Sequence, residues 1–310
     1  MKQSVVAFLI YMDKSGTKEL NDRGVRGRSW LMLLGLGLVW GTSFILIKRG
    51  LVAFPPEQVA CLRIGITAIV FAPVFIWKFK KIDWRRWKQL FVVGFAGSLV
   101  PAFLFAMAQT RISSSLAGVL SSLTPLFTLL LGITFFNVKS TWSKVTGVLM
   151  GLVGAFGLLM ADRGLGGLEG VQYGLLILAG CLFYSISSNV LKVYLPHMPS
   201  ITISAASYAM AGVPAILYLV FSDFGEVVKY HEQAWSSLGY IVLLALTSTV
   251  ATSIVYFKLI KDTSALFATS VSYLIPLVAL GWGVLDGENL AAYHLAGMAL
   301  ILTGVYVARK

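Results

Sequence analysis

The residues best suited to chemistry in this 310-residue chain are hydroxyls and aromatic rings that recur at helical spacing within apolar segments. Hydroxyls at steps of three and four share one face of a helix, and neighbouring rings offer a wall to a small solute. Such uncharged groups bind by hydrogen bonding and stacking, although hydroxyls also bond between helices for purely structural reasons. We expect a shared polar cavity, and the residues expected to bind solute there are Trp40, Phe44, Ser121, Tyr184, Ser188, Thr249, Tyr256 and Ser272.

These side chains lie in segments that are apolar enough for a membrane. The chain is 57% hydrophobic and 12% charged, a composition typical of integral membrane proteins. A membrane-spanning helix needs roughly 20 mostly apolar residues. The windows do not alternate apolar and polar residues as barrel strands do, so we predict an all-α integral membrane protein with ten transmembrane helices. The windows are 29–48, 55–78, 89–109, 113–135, 140–160, 171–191, 200–221, 236–259, 264–282 and 289–307.

The positive charge is distributed by side of the membrane. Of the 25 Lys and Arg residues, 19 fall in the N-terminal tail, in the loops that follow the even-numbered helical windows, or at the C-terminus. These segments all lie on the same side of the membrane if there are ten spans. Cytoplasmic loops carry such an excess, so we predict a multi-pass protein of the cytoplasmic (inner) membrane with both termini in the cytoplasm. The net charge of +12 is then a matter of topology and does not indicate a nucleic-acid partner.

Arg63 is the one charge deep within a predicted helix, about 12 Å from the start of the second helix. An ionisable group inside the membrane is a functional hypothesis by default, and the alternative is an anchor to the last carbonyls of a neighbouring helix. No Asp or Glu lies deep in any window, and Glu288 lies near a helix end. The predicted cavity therefore suits a small zwitterionic or weakly polar solute, with no metal and no cofactor.

The two halves of the chain align with each other. An offset of 151 pairs Ser113 with Ser264, Ser121 with Ser272 and Pro125 with Pro276. An offset of 144 pairs "WGTSFILIK" (40–48) with "YSISSNVLK" (184–192), and Pro55 with Pro199. Chance similarity among Leu- and Gly-rich helices is the alternative.

An odd number of helices per half turns the second half over in the membrane, which gives two inverted five-helix repeats. The Gly-rich "DRGLGGLEG" (162–170) is the best boundary between them. We predict an N-terminal cytoplasmic tail over 1–28, a first repeat over 29–160, a linker over 161–170 and a second repeat over 171–307. The apolar stretch near the start lacks a signal-peptide cleavage site, so we expect a peripheral tail or a true start at Met12.

Pro125 and Pro276 each interrupt an apolar window near its middle. A proline inside a helix removes a backbone hydrogen bond and disturbs the preceding turn. Interruptions at corresponding positions of two repeats point to a transporter's binding site. We expect both prolines to act as flex points, with Arg63 and Glu288 in gating roles; kinks used only for packing are the alternative.

Four segments carry a family resemblance: "GLVWGTSFILIKRGL" (37–51), "ACLRIGITAIV" (60–70), "LAGVLSSLTPLFTLLLG" (116–132), and "LDGENL" with "HLAGMALILTGVYV" (285–307). Over about residues 30–307 the chain resembles the EamA-type branch of the drug/metabolite transporter superfamily. The resemblance implies inverted repeats, transport of small metabolites, often export of amino acids, and a cavity lined by helices 1, 3, 4, 6, 8 and 9. The family's Gly-Glu pair is present as Gly287-Glu288, whereas the first half has Phe136-Asn137.

The leading hypothesis is a secondary transporter, exporter or facilitator, for small metabolites such as amino acids. An efflux carrier for drugs or cationic compounds is the alternative within the same fold. An intramembrane enzyme would need a metal cluster or a nucleophile–His pair, and neither pattern is present. Glycines in the fifth helix allow close helix packing, which suggests a homodimer through helix 5 or 10; they are Gly147, Gly151 and Gly154.

Overall fold

The computed structural model describes residues 27–136, 142–161, 168–288 and 292–308, and over these residues the protein is helical with no strand. A short helix, Phe224–Tyr230, joins the seventh long helix to the eighth. The long helices are α1 (Gly27–Gly50), α2 (Pro56–Lys78), α3 (Trp84–Ala108), α4 (Ser114–Phe135), α5 (Trp142–Ala161), α6 (Leu168–Tyr194), α7 (Ser200–Phe221), α8 (Ala234–Asp262), α9 (Ala265–Leu285) and α10 (Ala292–Ala308).

Eight helices in the described part of the chain, α1 to α4 and α6 to α9, are long and apolar enough to cross a membrane. This confirms the predicted all-helical, multi-pass membrane class. Helices α5 and α10 pack along each other, and the count of ten spans stays a prediction. Helix α6 begins at Leu168, three residues before its predicted window, and residues 162–167 of the predicted linker lie outside the described residues.

Three pairs of helices at corresponding places in the two predicted repeats pack against each other and run antiparallel: α2 with α7, α4 with α9 and α5 with α10. Between α2 and α7, Phe71 stacks on Tyr208 with ring centroids 5.6 Å apart, and Gly65 lies beside Ile216. As the residue numbers of the contacts increase along α2, those of their partners decrease along α7, so the two helices are antiparallel.

The same arrangement holds for α5 with α10. Ser143 Oγ donates to the carbonyl of Val307 at 2.6 Å, while Gly154, further along α5, lies against Ile301, earlier along α10. A Cβ on Gly304 would lie 2.6 Å from the nitrogen of Gly151 and 2.7 Å from the oxygen of Gly147, so the glycines let these backbones approach. They are used for packing within the chain, and the homodimer stays a prediction.

Helices α4 and α9 are both interrupted, each in front of its proline. The first part of α4, Ser114–Ser121, is followed by a turn and then by Thr124–Phe135. The first part of α9, Ala265–Thr269, continues through a 3₁₀ segment, Ser270–Tyr273, into Ile275–Leu285.

Pro125 and Pro276 each lie in the first turn of the second segment, where a missing N–H leaves no acceptor unpaired. The helices are thus interrupted next to both prolines, as the sequence predicted, and each hydrogen-bond ladder ends before the proline and starts again. The residues paired in the alignment, Ser113 and Ser264, cap the two helices: their hydroxyls accept from the N–H groups of Leu116 and Phe267 at 3.1 and 3.0 Å.

Helices α3 and α8 share a feature that the sequence did not reveal. Each contains a π-helical segment in its interior, Phe95–Leu99 in α3 and Leu246–Ala251 in α8. Single π turns are rare and frequently occur at functional sites. Both segments here contribute residues to the cavity described below.

Candidate functional site: a central polar cavity

A cavity lies between the two halves, surrounded by α1 to α4 and α6 to α9. Its volume is about 100 Å³, measured as the space open to the centre of a water molecule. That is room for several waters or for a small solute. All eight residues predicted to bind solute line it, together with Arg63: Trp40, Phe44, Ser121, Tyr184, Ser188, Thr249, Tyr256 and Ser272.

Trp40 joins α1 to the π-helical segment of α8. Its indole Nε1 donates to the carbonyl of Ser248 at 3.0 Å and to Thr252 Oγ1 at 3.1 Å. The ring meets Tyr256 edge-on, with centroids 4.9 Å apart. These contacts fix the Trp40 ring as part of the cavity wall.

Three other aromatic rings contact one another along the cavity wall. Phe105 of α3 lies 5.9 Å from Phe44 and 5.9 Å from Tyr184, centroid to centroid. The hydroxyls of Ser188 and Tyr256 are 2.9 Å apart. These contacts link α1, α3, α6 and α8, so a solute in the cavity would touch helices from both halves.

Arg63 reaches the cavity from α2. Its Nε donates to Thr249 Oγ1, in the π-helical segment of α8, at 2.8 Å. The sequence left open whether Arg63 anchors a helix end, and the structure instead pairs it with a mid-helix hydroxyl beside the cavity.

Sequence reasoning missed several lining residues. Helix α3, which the polar stripes did not include, contributes Gly97, Ser98 and Phe105, and α7 contributes Tyr208. Ser98 Oγ donates to the Tyr208 hydroxyl at 2.9 Å. A lone serine in an apolar run is a weak signal, but the family resemblance did include helix 3 in the lining.

The two prolines and Glu288 do not line this cavity. The neighbouring Thr124 and Ile275 do, whereas Pro125 borders a second cavity between α1, α4, α9 and α10. The flex-point role of the prolines stays a prediction.

Glu288 lies where α1, α4 and the turn after α9 meet. Its Oε1 accepts from the Ser114 N–H at 3.1 Å and from Lys48 Nζ at 2.9 Å, and its Oε2 accepts from the Ser115 N–H at 3.1 Å and the Ser115 hydroxyl at 2.6 Å. A carboxylate at a helix N-terminus satisfies free N–H groups and the helix dipole. Glu288 therefore caps α4.

Asp286 completes the ionic cluster. Lys48 Nζ is 2.6 Å from its Oδ2, and Arg49 also pairs with it. The hydrogen bond from Lys48 lowers the pKa of Asp286 despite its burial. Burial alone would raise the pKa of Glu288, but the hydrogen bonds from Ser115 and Lys48 outweigh it and lower that pKa. Both carboxyls are therefore ionised at neutral pH.

The other lysine of the aligned pair, Lys192, lies at the end of α6 and has different partners. Its Nζ donates to the carbonyls of Lys261 and Thr263 at 3.0 and 2.7 Å. Lys261 lies in the last turn of α8, and Thr263 lies in the connection between α8 and α9. Phe136 is described, but Asn137, which takes the place of the family's glutamate, lies outside the described residues.

The family model of the EamA-like transporter family matches residues 28–160 and again residues 172–309. The chain belongs to the EamA-like transporter family. The family and the names of the relatives are those of membrane transporters rather than enzymes.

Curated relatives of this EamA-like chain align over nearly the whole sequence. An uncharacterized transporter of Archaeoglobus fulgidus is 26% identical over 90% of this chain and 98% of its own length. A probable amino-acid metabolite efflux pump of Salmonella typhimurium is 25% identical over 87% and 91%. The uncharacterized inner membrane transporter YedA of Escherichia coli is 26% identical over 88% of both chains.

A solved crystal structure supports the fold of this EamA-like chain. It superposes with a TM-score of 0.64 at 21% identity, over 90% of this chain and 96% of the other. At that identity the likeness concerns the fold alone.

Proposed function

We propose that this EamA-like protein is a secondary transporter, an exporter or facilitator, that moves small metabolites such as amino acids across the cytoplasmic membrane. The observation that carries the proposal is the central cavity, where eight residues predicted from sequence and Arg63 converge between the halves. The name of the Salmonella relative is consistent with this solute class.

The proposed mechanism is alternating access by two inverted five-helix repeats. Antiparallel packing of α2 with α7, α4 with α9, and α5 with α10 supports the inversion. The repeats would rock about the cavity and open one end at a time. Glu288 with Lys48 would hold one end closed, and Lys192 with the α8–α9 connection would hold the other; we assign the Glu288 end to the outer face from the distribution of Lys and Arg.

The test is reconstitution of the full chain into liposomes with labelled amino acids, nucleosides, sugars and cationic drugs, with and without a pH gradient. A carrier gives saturable flux and counterflow, in which an unlabelled solute trapped inside drives uptake of the label. A rate that rises with a pH gradient would indicate coupling to protons, and an unchanged rate would argue against proton coupling.

Trp40→Ala should raise the half-saturation concentration for the transported solute, because it removes part of the cavity wall. The matched control is Trp235→Ala, at an exposed ring outside the cavity. Equal half-saturation concentrations in the two variants would argue against solute binding in this cavity.

The efflux of cationic compounds is the second candidate, favoured by the aromatic wall, since rings attract cations. In the same panel it would appear as saturable flux of the cationic drugs alone.

A further inference from the structure

The central cavity contains a charge that nothing in the described part of the protein balances. Arg63 lines the cavity, and no Asp or Glu among the described residues does so. No carboxylate in those residues lies within 4.0 Å of the Arg63 guanidinium. A charge inside a membrane protein is costly unless it pairs with another group.

The guanidinium of Arg63 also has donors to spare. A guanidinium presents several N–H donors in a planar fork and keeps its charge in proteins. Within the described residues its Nε donates to Thr249 Oγ1 at 2.8 Å, and neither Nη atom has a hydrogen-bond partner. The two Nη groups of Arg63 can therefore donate hydrogen bonds to a solute, since Arg63 lines the cavity.

A carboxylate is the group that fits this edge, because its two oxygens accept parallel hydrogen bonds from a guanidinium. We infer that Arg63 binds the carboxylate of the transported solute, which makes small monocarboxylates, zwitterionic amino acids among them, the substrate class. The inference rests on the proposed carrier function and assigns Arg63 a binding role in place of the expected gating role.

The rest of the cavity limits the solute further. One cation balances one negative charge, so a dianion would bring a second charge with no partner among the described lining residues. The remaining wall consists of hydroxyls and rings, including Trp40, Tyr184 and Tyr256. A short apolar or aromatic side chain would pack there, and an ammonium group would meet hydroxyls and ring faces. A solute with only a positive charge would face Arg63 unshielded.

The experiment compares solutes that differ only at the carboxylate. Counterflow of labelled L-leucine in proteoliposomes is competed with unlabelled L-leucine, L-leucinamide and 3-methylbutylamine, and repeated with L-phenylalanine and its amide. We expect the free acids to compete at least about 10-fold better than the amides, the discrimination typical of a charged hydrogen bond. Equal competition by acid and amide would overturn the assignment.

The same counterflow assay on variants tests whether Arg63 is the source of the preference for acids over amides. Arg63→Gln should raise the half-saturation concentration of the acids by about 10- to 100-fold and narrow the preference for acid over amide. Arg63→Lys, which keeps the charge but loses the fork, should give an intermediate value. Arg111→Gln, at an exposed arginine outside the cavity, is the matched control and should leave both quantities unchanged.

The outcomes separate the inference from the proposed function. If Arg63→Gln does not fold, the acid–amide comparison in the unmodified protein still decides. Saturable flux of cationic drugs or sugars with no preference for acids would reject the role of Arg63 and leave the carrier standing. If no solute in the wider panel gave saturable flux, both the carrier and the carboxylate assignment would be rejected.

Discussion

The two ends of α9 are held by lysines that occupy the same place in the aligned halves, yet the partners of these lysines differ. At one end Lys48 pairs with Asp286 and Glu288, and Glu288 caps α4. At the other end Lys192 donates to two carbonyls. The two ends are separated by the 21 residues of α9, a length of about 30 Å. The aligned positions thus share the cation and differ in what it binds.

The difference has a physical consequence. A charge pair responds to pH, since a carboxylate can be neutralised, whereas backbone carbonyls do not titrate. Under the proposed mechanism, ion pairs hold the Glu288 end and hydrogen bonds to carbonyls hold the Lys192 end. We expect the ion pairs to add more stability, and we expect that stability to depend on pH. The predictions below test that asymmetry, from the largest expected effect to the smallest.

Glu288→Ala should lower the free energy of unfolding by about 2–3 kcal/mol, because it leaves Lys48 and the first N–H groups of α4 with fewer acceptors. Thermal unfolding of the purified protein in detergent measures this. The control is Glu226→Ala, at an exposed glutamate of the short helix Phe224–Tyr230. If the two variants lost the same stability, the ionic cluster would not be a special feature of this end.

The stability that the cluster adds should depend on pH. The folded pKa values of Asp286 and Glu288 are lowered from the ordinary 3.8 and 4.5. Their contribution is therefore complete above pH 4.5 and is lost as the pH falls through the lowered values. The difference in unfolding temperature between the unmodified protein and Glu288→Gln should shrink below pH 4.5.

If the difference in unfolding temperature between the unmodified protein and Glu288→Gln stayed constant from pH 7 to pH 3.5, the account would be contradicted. The unmodified protein and Lys192→Met provide the internal comparison over the same pH range. Their difference should change less, because the hydrogen-bond partners of Lys192 are carbonyls and Asp262 acts on it only through its charge.

Lys192→Met should cost about 1–2 kcal/mol, since it removes charge-assisted hydrogen bonds to carbonyls while keeping much of the side-chain volume. Lys48→Met should cost more in the same unfolding assay, because it leaves two carboxylates without their shared cation. The reverse order would show that the Lys192 end is the stronger one.

Pro125→Ala and Pro276→Ala should change stability least, because both prolines lie in a first helical turn where their missing N–H costs nothing. We expect both variants to slow transport more than they lower the folded yield. Unchanged transport rates in both would reject the flex-point role, and a change in only one would extend the asymmetry between the halves.

Much of this architecture could be predicted because its signals are local. Apolar windows gave the helices, and hydroxyls at helical spacing indicated which faces meet: Ser121, Ser188 and Ser272 all line the cavity. The π-helical segments could not be predicted, since Phe95–Leu99 and Leu246–Ala251 have no common residue pattern. The capping of α4 by Glu288, 174 residues further along the chain, depends on tertiary packing that local periodicity does not encode.

The claim that solute passes through the central cavity can be tested by blocking it after the protein has folded. Ser272 lines the cavity, and a cysteine there, with the native Cys61 and Cys181 replaced by Ala, can be modified with a bulky methanethiosulfonate reagent. Ser236→Cys, at an exposed site, is the matched control. We predict that modification at position 272 abolishes counterflow, that solute slows this modification, and that modification at position 236 does neither. Full counterflow by protein completely modified at position 272 would contradict the account.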